Sequence, residues 1–216
     1  MMENYEAPWD LKGKGIILPF LSRDLIPAEI GFFSEEDSSQ FSGGAGAIML
    51  VSYESSNVGP YFELLYIPGN FKFRQKKYKR ITKIYVSSEL SVEHGRKNWG
   101  IPKELADFEW EENDKSIQIE ISKENKLFFS IDLKKHFFPF PIHSAFYPIT
   151  LLQKSDSEYL TTQFRGKGIG HFCSVKSYHS DKSHFPAKTE ISNVFLPGIY
   201  VNPFYLTFPV AGRLEK

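Results

Sequence analysis

Alternation of apolar and polar residues is the feature that most restricts the fold of this chain. The segment SIQIEIS, residues 116–122, places Ile117, Ile119 and Ile121 on one face and polar side chains on the other. A repeat of two residues is that of a β-strand with one buried face. The polar turn KENK and the apolar run LFFSIDL follow directly. This order predicts an antiparallel hairpin.

Further strands are predicted along most of the chain. The apolar runs that support them are GIILPFL, GAIMLVSY, YFELLYI, ITKIYVS and IYVNPFYLTF. Aromatic residues make up 16% of the chain, with 20 Phe and 11 Tyr, which suits half-buried sheet surfaces. The clearest helix is SSELSVEHGRKNWG, which ends at Gly100 before Pro102. Without a long polar linker, residues 1–216 are expected to form a single, mainly β (α+β) domain with few short helices.

Charge and cysteine content narrow the class of protein. The chain has 26 Lys and Arg against 26 Asp and Glu, which argues against the basic surface of a nucleic-acid binder. Cys173 is the single cysteine, so no internal disulfide can form and a reducing cytoplasm fits. The N-terminus is acidic, and no apolar run approaches the roughly 18 residues of a membrane span. We therefore expect a soluble, cytoplasmic protein with no membrane partner.

Lys103 stands in an unusual place for a lysine. It follows Gly-Ile-Pro at the predicted helix end and is surrounded in the sequence by Trp99, Ile101, Leu105 and Phe108. If these apolar side chains converge on it, the ammonium group is desolvated and its pKa falls. A lysine amine freed in this way can attack a ketone and form a Schiff base.

Two motifs resemble the acetoacetate decarboxylase family. GRKNWGIPKELA is similar to its Gly-Arg helix end followed by Pro-Lys, and GPYFELLYIPG is similar to its Tyr-x-Glu strand. The resemblance extends from PWDLKGKG to about Ala145. It implies a curved antiparallel sheet or barrel that encloses a pocket. It also implies that Lys103, as the Schiff-base nucleophile, faces Glu63, as the acid/base, inside that pocket.

The resemblance further implies a function. By it, the chain is a carbon–carbon lyase that acts on a small oxo acid, by decarboxylation or a related reaction through the same iminium. No organic cofactor and no metal is needed, because the iminium of the lysine accepts the electrons. Arg96, Tyr61 and Trp99 are the candidate substrate-binding residues. Oligomers are common in the resembled family, so a homo-oligomer is expected.

Three positions depart from the family pattern and keep a second function open. Glu104 follows Lys103 where the decarboxylases carry another lysine, and Ala47 stands where they tend to carry a carboxylate. The N-terminal arginine of the family has no clear counterpart, the nearest cations being Lys12 and Lys14. The alternative is a non-enzymatic small-molecule-binding domain that kept the pocket and lost decarboxylase activity. A third possibility is an interaction module that uses the basic residues 72–80.

Ordinary structural roles compete with these assignments. A lysine after proline is usually solvated, and alternation alone turns Glu63 toward solvent. Arg96 near a helix C-terminus is typically a partner of the last carbonyl groups. The segment GHFCSVKSYHSDKSHF, from Gly170 to Phe185, contains possible zinc ligands but no recognised ligand spacing. The run FKFRQKKYKR is interpreted as a solvated turn between strands.

Overall fold

The computed structural model describes residues 5–215 except 24, 147, 156–157 and 193, and does not describe the side chain of Ile191. Within this part, strands dominate and the helices are short, apart from one of 11 residues. The strands are β1 Trp9–Ser22, β2 Gly44–Ser55, β3 Tyr61–Ile67, β4 Asn70–Phe73, β5 Lys76–Lys79, β6 Lys83–Val86, β7 Lys103–Leu105, β8 Asp107–Glu112, β9 Ser116–Lys123, β10 Lys126–His143, β11 Leu151–Lys154, β12 Glu158–Thr162, β13 Arg165–Ser180, β14 Val194–Phe195, β15 Gly198–Phe208 and β16 Gly212–Glu215. The helices are α1 Ala28–Gly31, α2 Glu35–Gln40, α3 Glu89–Trp99 and α4 Lys188–Ile191, with a 3-10 turn at Ser144–Phe146.

The main sheet curls until its two ends approach each other. Its strand order is β7-β6-β3-β2-β1-β15-β13-β10-β9-β8, with β14 added on β1. The end strands β7 and β8 are consecutive in the chain and only Ala106 separates them, so the two ends of the sheet must lie close together. This gives a nearly closed, barrel-like sheet, as the family resemblance implied.

The predicted hairpin is confirmed. Strands β9 and β10 pair antiparallel, with Lys123 opposite Lys126. Glu124 and Asn125 form the turn with positive φ angles of 53° and 61°. Two left-handed residues match the right-handed twist of the flanking strands, which is why two-residue hairpins use this turn. The predicted helix also forms, as α3.

Strand β3 is buried on both faces. Leu64 and Tyr66 belong to the core inside the curled sheet, whereas Tyr61 and Leu65 belong to a second core on the opposite face. The second core also includes Trp99 of α3, which covers this face. Glu63 points toward the second core, so its predicted alternative, a solvent-facing position, is wrong because α3 and the N-terminal strand exclude water there.

A second sheet was not predicted. It has the order β16-β12-β11-β5-β4 and contains most of the basic run 72–80. The interpretation of this run as a simple solvated turn is wrong, because β4 and β5 form a hairpin whose turn is only Arg74 and Gln75. Arg80 is buried and its guanidinium pairs with Asp37 of α2. Among the described residues, no helix is long and apolar enough to cross a membrane.

Candidate active site

Lys103 is placed by a short strand–helix–strand unit. Strands β6 and β7 are parallel neighbours, and α3 connects them. Parallel strands need such a crossover, so the helix necessarily lies against one face of the pair. The side chain of Ser88 accepts a hydrogen bond from Ser91 at the start of α3, and Gly100 ends the helix in the left-handed region (φ 66°). The chain then turns so that Lys103 begins β7 beneath the helix.

Lys103 and Glu63 form a buried ion pair. Residues directly opposite each other in neighbouring strands share a face, and the register pairs Lys103 with Ile84 and Glu63 with Val86. Nζ lies 3.1 Å from a carboxylate oxygen of Glu63. The two residues are only 4% and 5% exposed. The predicted pair therefore exists, but on the face of β3 that packs against α3, not in the interior of the curled sheet.

Ser91 completes the contacts of the lysine, and the sequence reasoning missed it. Its hydroxyl accepts a hydrogen bond from Nζ at 2.9 Å, and the residue is fully buried. Ser91, Gly95 and Trp99 recur every four residues and form the buried face of α3. A Cβ atom on Gly95 would lie 2.7 Å from Cδ of Lys103, so glycine leaves room for the lysine. The spacing of Ser91 and Gly95 could have revealed this contact, because two small residues four positions apart lie on the same face of a helix.

Aromatic side chains enclose the pair. Nζ of Lys103 lies 5.2 Å from the centre of the Tyr61 ring and 6.0 Å from that of Trp9, within the range of cation–π attraction. The hydroxyl of Tyr53 donates a long hydrogen bond of 3.5 Å to Glu63. Because Lys103 is almost inaccessible in this conformation, a ligand reaches Nζ only if one of these walls moves.

The pKa of Lys103 differs from the expectation. Burial acts to lower this pKa, as predicted, but the Glu63 carboxylate and Tyr61 stabilise the ammonium form, and the net pKa lies above its ordinary value. The expectation of a lowered pKa is therefore wrong while Glu63 is ionised. Burial raises the pKa of Tyr61, and Glu63 adds to the effect while Lys103 opposes it. Burial also raises the pKa of Tyr53 well above its ordinary value.

Glu104 faces away from Lys103. Its carboxylate pairs with Lys83 at 2.5 Å and with Lys123 at 2.8 Å on the other face of β7. Burial acts to raise the pKa of Glu104, but the hydrogen bonds from these two lysines outweigh it and hold the pKa below its ordinary value. The replacement of the family's second lysine by Glu104 therefore does not add a charge beside Nζ of Lys103.

The other two polar or aromatic candidates have structural contacts. Exposed Arg96 donates through Nε to the backbone carbonyl of Lys103 at 2.9 Å, so it holds the start of β7 against α3. Trp99 donates through its indole N–H to the carbonyl of Pro209 at 2.7 Å. Its ring packs edge-on against Trp9 at 4.9 Å. Trp99 thus supports the wall beside the amine and does not touch Nζ in this structure.

The remaining departures from the family pattern lie outside the pair. Ala47 is half-buried on β2 and has no acidic group to offer. Lys12 pairs with Glu54 at 2.9 Å, and Lys14 pairs with Glu112 at 2.6 Å. Both N-terminal cations are therefore engaged by carboxylates of other strands and do not reach Lys103.

The histidine-rich segment from Gly170 to Phe185 lies mainly on β13. Cys173 is buried in the core inside the curled sheet, and burial raises the pKa of its thiol to about 12. A protonated, buried thiol is a poor nucleophile. In the described part of the chain, no group of three or more His, Cys, Asp or Glu side chains is arranged to hold a metal ion.

Most of the sequence matches a family model. The model is described as acetoacetate decarboxylase (ADC) and matches residues 23–165, more than half of the chain. The chain belongs to the acetoacetate decarboxylase family. This match includes both Lys103 and Glu63. No curated protein matches the chain.

Solved structures of acetoacetate decarboxylases and related enzymes share the fold. The acetoacetate decarboxylase of Legionella pneumophila superposes with a TM-score of 0.70 at 10% identity, over 97% of this chain and 88% of that one. An acetoacetate decarboxylase-like enzyme from Sphingomonas wittichii RW1 gives 0.69 at 12% identity, over 98% and 94%. The enduracididine biosynthesis enzyme MppR complexed with pyruvate gives 0.62 at 10% identity, over 97% and 91%. At such low identity these superpositions establish the fold alone.

Proposed function

We propose that the protein is a Schiff-base-forming carbon–carbon lyase of the acetoacetate decarboxylase type that acts on a small oxo acid. Lys103 is the nucleophile and Glu63 is the acid/base. The observation that carries this proposal is the buried contact of 3.1 Å between Nζ and the Glu63 carboxylate, at two motif positions of the family. Family membership and the pyruvate named for MppR support a small carbonyl substrate.

The pair can produce a neutral amine despite the raised pKa of Lys103. Transfer of one proton from Nζ to Glu63 replaces two buried charges by two neutral groups, and burial favours the neutral forms of both. The amine then adds to the ketone carbon, and loss of water gives an iminium. The electron pair of the bond to a β-carboxylate moves toward the iminium nitrogen as carbon dioxide leaves. Glu63 gives the proton that it took from Nζ to the hydroxyl group that leaves as water, takes up another proton from the solvent and passes it to the enamine carbon, and water then hydrolyses the product imine.

A binding protein is the second candidate function. The observations that favour it are the raised pKa of Lys103, which keeps the amine protonated at neutral pH, and the alanine at position 47. In that case a carbonyl ligand is held beside the ammonium group and never becomes covalently attached.

A turnover assay separates the two candidates. Acetoacetate and a panel of other oxo acids are followed by proton NMR with the wild-type protein and with Lys103→Met, which keeps most of the length of the side chain and removes the amine. The lyase predicts loss of at least one oxo acid with the wild type only. Binding of the oxo acids, seen by line broadening, without any turnover or imine would favour the binding protein.

The cytoplasm remains the proposed location. The supporting observation is the single cysteine, Cys173, which is a buried free thiol. A chain with one cysteine cannot form an internal disulfide bond, so an oxidising compartment would not stabilise it in this way.

The chain is also proposed to self-associate through an apolar ribbon. We use this term for residues 135–143 of β10 and the part of β13 that pairs with them. In the ribbon Phe137 and Phe138 are 79% and 82% exposed. Pairing with β9 stops at Lys134, so no strand of the described residues pairs with the outer edge of the ribbon. An exposed apolar patch of this kind marks an interaction surface. The net charge of zero presents no repulsion between two copies.

The double variant Phe137→Ser, Phe138→Ser is expected to sediment as a monomer at micromolar concentrations where the wild type forms dimers or larger assemblies. Phe146→Ser is the control, because Phe146 is 84% exposed but lies outside the ribbon. A wild-type monomer at these concentrations would rule out this interface.

A further inference from the structure

Ser91 and Glu63 contact the amine of Lys103 from two different secondary-structure elements. Glu63 belongs to β3 of the sheet, and Ser91 belongs to the first turns of α3, so the two contact Nζ from different elements. Nζ donates to Ser91 at 2.9 Å and to Glu63 at 3.1 Å. Nothing in the helix requires this serine, because the capping side chain of α3 is Ser88. The fully buried hydroxyl contacts the amine and is also hydrogen-bonded to Tyr61.

Imine formation requires a proton transfer from the nitrogen to the oxygen of the carbinolamine, in addition to the transfers assigned to Glu63. After the amine adds to the carbonyl, the nitrogen carries an extra proton and the former carbonyl oxygen is an alkoxide. Direct transfer between these two atoms of the carbinolamine passes through a strained four-membered ring. A hydroxyl group that bridges nitrogen and oxygen enlarges the ring to six members.

We propose that Ser91 is a further catalytic residue that relays this proton, an inference that rests on the proposed function. Its Oγ accepts the proton of the nitrogen while its own proton moves to the alkoxide oxygen. The nitrogen loses one proton, the oxygen gains one to become a hydroxyl group, and the serine ends unchanged. Glu63 remains available to protonate the hydroxyl group as water leaves, which completes the iminium.

The surroundings of Nζ favour a serine in this role. The groups that face it are Glu63 and Tyr61 of β3, Trp9 of β1 and Ser91 of α3. Burial is the main cause of the raised pKa of the Tyr61 hydroxyl, and the raised pKa makes this group a weaker proton donor. A serine hydroxyl that exchanges one proton for another in a single step needs no pKa close to neutrality, because it never carries a charge.

The test measures imine formation with acetone as the probe. Samples are quenched with borohydride at increasing times, and the adduct on Lys103 is counted by mass. Ser91→Ala is expected to form the adduct about 10²-fold more slowly than the wild type, the usual size of a lost acid–base contribution. Ser91→Thr, which keeps a hydroxyl group, is expected to restore most of the rate. The rate of adduct formation, plotted against the fraction of heavy water in the solvent, should give a curve for the wild type and a straight line for Ser91→Ala.

Control variants separate the relay from other causes. Ser88→Ala loosens the start of α3 but leaves the contacts of Nζ intact, so its rate should stay within a few-fold of the wild type. Ser91→Cys, with similar volume and weak hydrogen bonding, replaces Ser91→Ala if that variant does not fold. An unchanged rate in either variant overturns the relay while leaving the proposed function standing. If the wild type forms no adduct on Lys103, the proposed function and the relay both fail.

Discussion

Replacement of Lys103 by methionine is expected to lower turnover at least ~10³-fold, because no other amine of the described residues contacts Glu63 and loss of the covalent nucleophile removes the whole imine route. Methionine preserves the packing against Gly95, but it leaves the Glu63 carboxylate buried without its cation. Removal of one partner of a buried ion pair costs about 3–5 kcal/mol unless the remaining group becomes neutral. The variant should therefore also unfold at lower denaturant concentration than the wild type.

The matched control for this prediction is Glu104→Gln. It changes the next residue of the same strand, whose ion pairs with Lys83 and Lys123 are partly exposed. Such pairs contribute about 1 kcal/mol or less. Turnover within a few-fold of the wild type is expected. If Lys103→Met kept turnover above one tenth of the wild-type rate, Lys103 would not be the nucleophile.

Replacement of Glu63 by glutamine is expected to reverse the pKa shift of Lys103. In the wild type, burial acts to lower this pKa, but Glu63 together with Tyr61 raises it above its ordinary value. Without the carboxylate, burial dominates, and the pKa of Lys103 should fall below its ordinary value. The acidic limb of the profile of kcat/KM against pH should move to lower pH accordingly. The maximal rate should nevertheless fall about 10²- to 10⁴-fold, because the acid/base is gone.

Stability against pH provides a readout of the same pair that does not depend on any substrate. A lysine whose folded pKa is raised contributes stability that is fully present below its unfolded pKa and is lost as pH rises through the folded pKa. For Lys103 that loss lies above the ordinary value of 10.5. In Glu63→Gln the folded pKa lies below the unfolded one, so this group should instead make stability rise with pH. Buried tyrosines such as Tyr53, whose pKa is raised, titrate in this range in both proteins, so the informative quantity is the difference between their free energies of unfolding. The excess stability of the wild type over Glu63→Gln should shrink as the pH rises from 8 to 11.5, whereas the difference from Glu111→Gln should stay constant. Equal slopes in the wild type and Glu63→Gln would contradict the raised pKa.

The parts of the fold that depend on local pattern could be predicted from the sequence. The hairpin of β9 and β10 follows from alternation around a short polar turn, and α3 follows from its stop signals at Gly100 and Pro102. The second sheet could not be predicted, because strands as short as β4 and β5 are stabilised by distant partners such as β11. The many charged residues of β4 and β5 led to the prediction of a turn at this position.

The candidate site was predictable only in part. The resemblance pointed to Lys103 and Glu63, and their contact agrees with it. Two features of the site depend on which element covers β3: the face on which Lys103 and Glu63 meet, and the direction of the pKa shift of Lys103. The sequence of a single strand does not reveal what covers it. Ser91 was visible only as a small residue four positions before Gly95, and its contact with Nζ requires the turn of the chain after α3.

The most direct test of the account is to map where a carbonyl substrate becomes attached. The protein is incubated with acetoacetate and the other oxo acids, reduced with borohydride, and examined by intact mass and peptide mapping beside Lys103→Met. The account predicts one ligand-sized adduct per chain, located on Lys103 and missing from the variant. Adducts spread over surface lysines at the same level in both proteins, or none on Lys103 with any oxo acid, would contradict it.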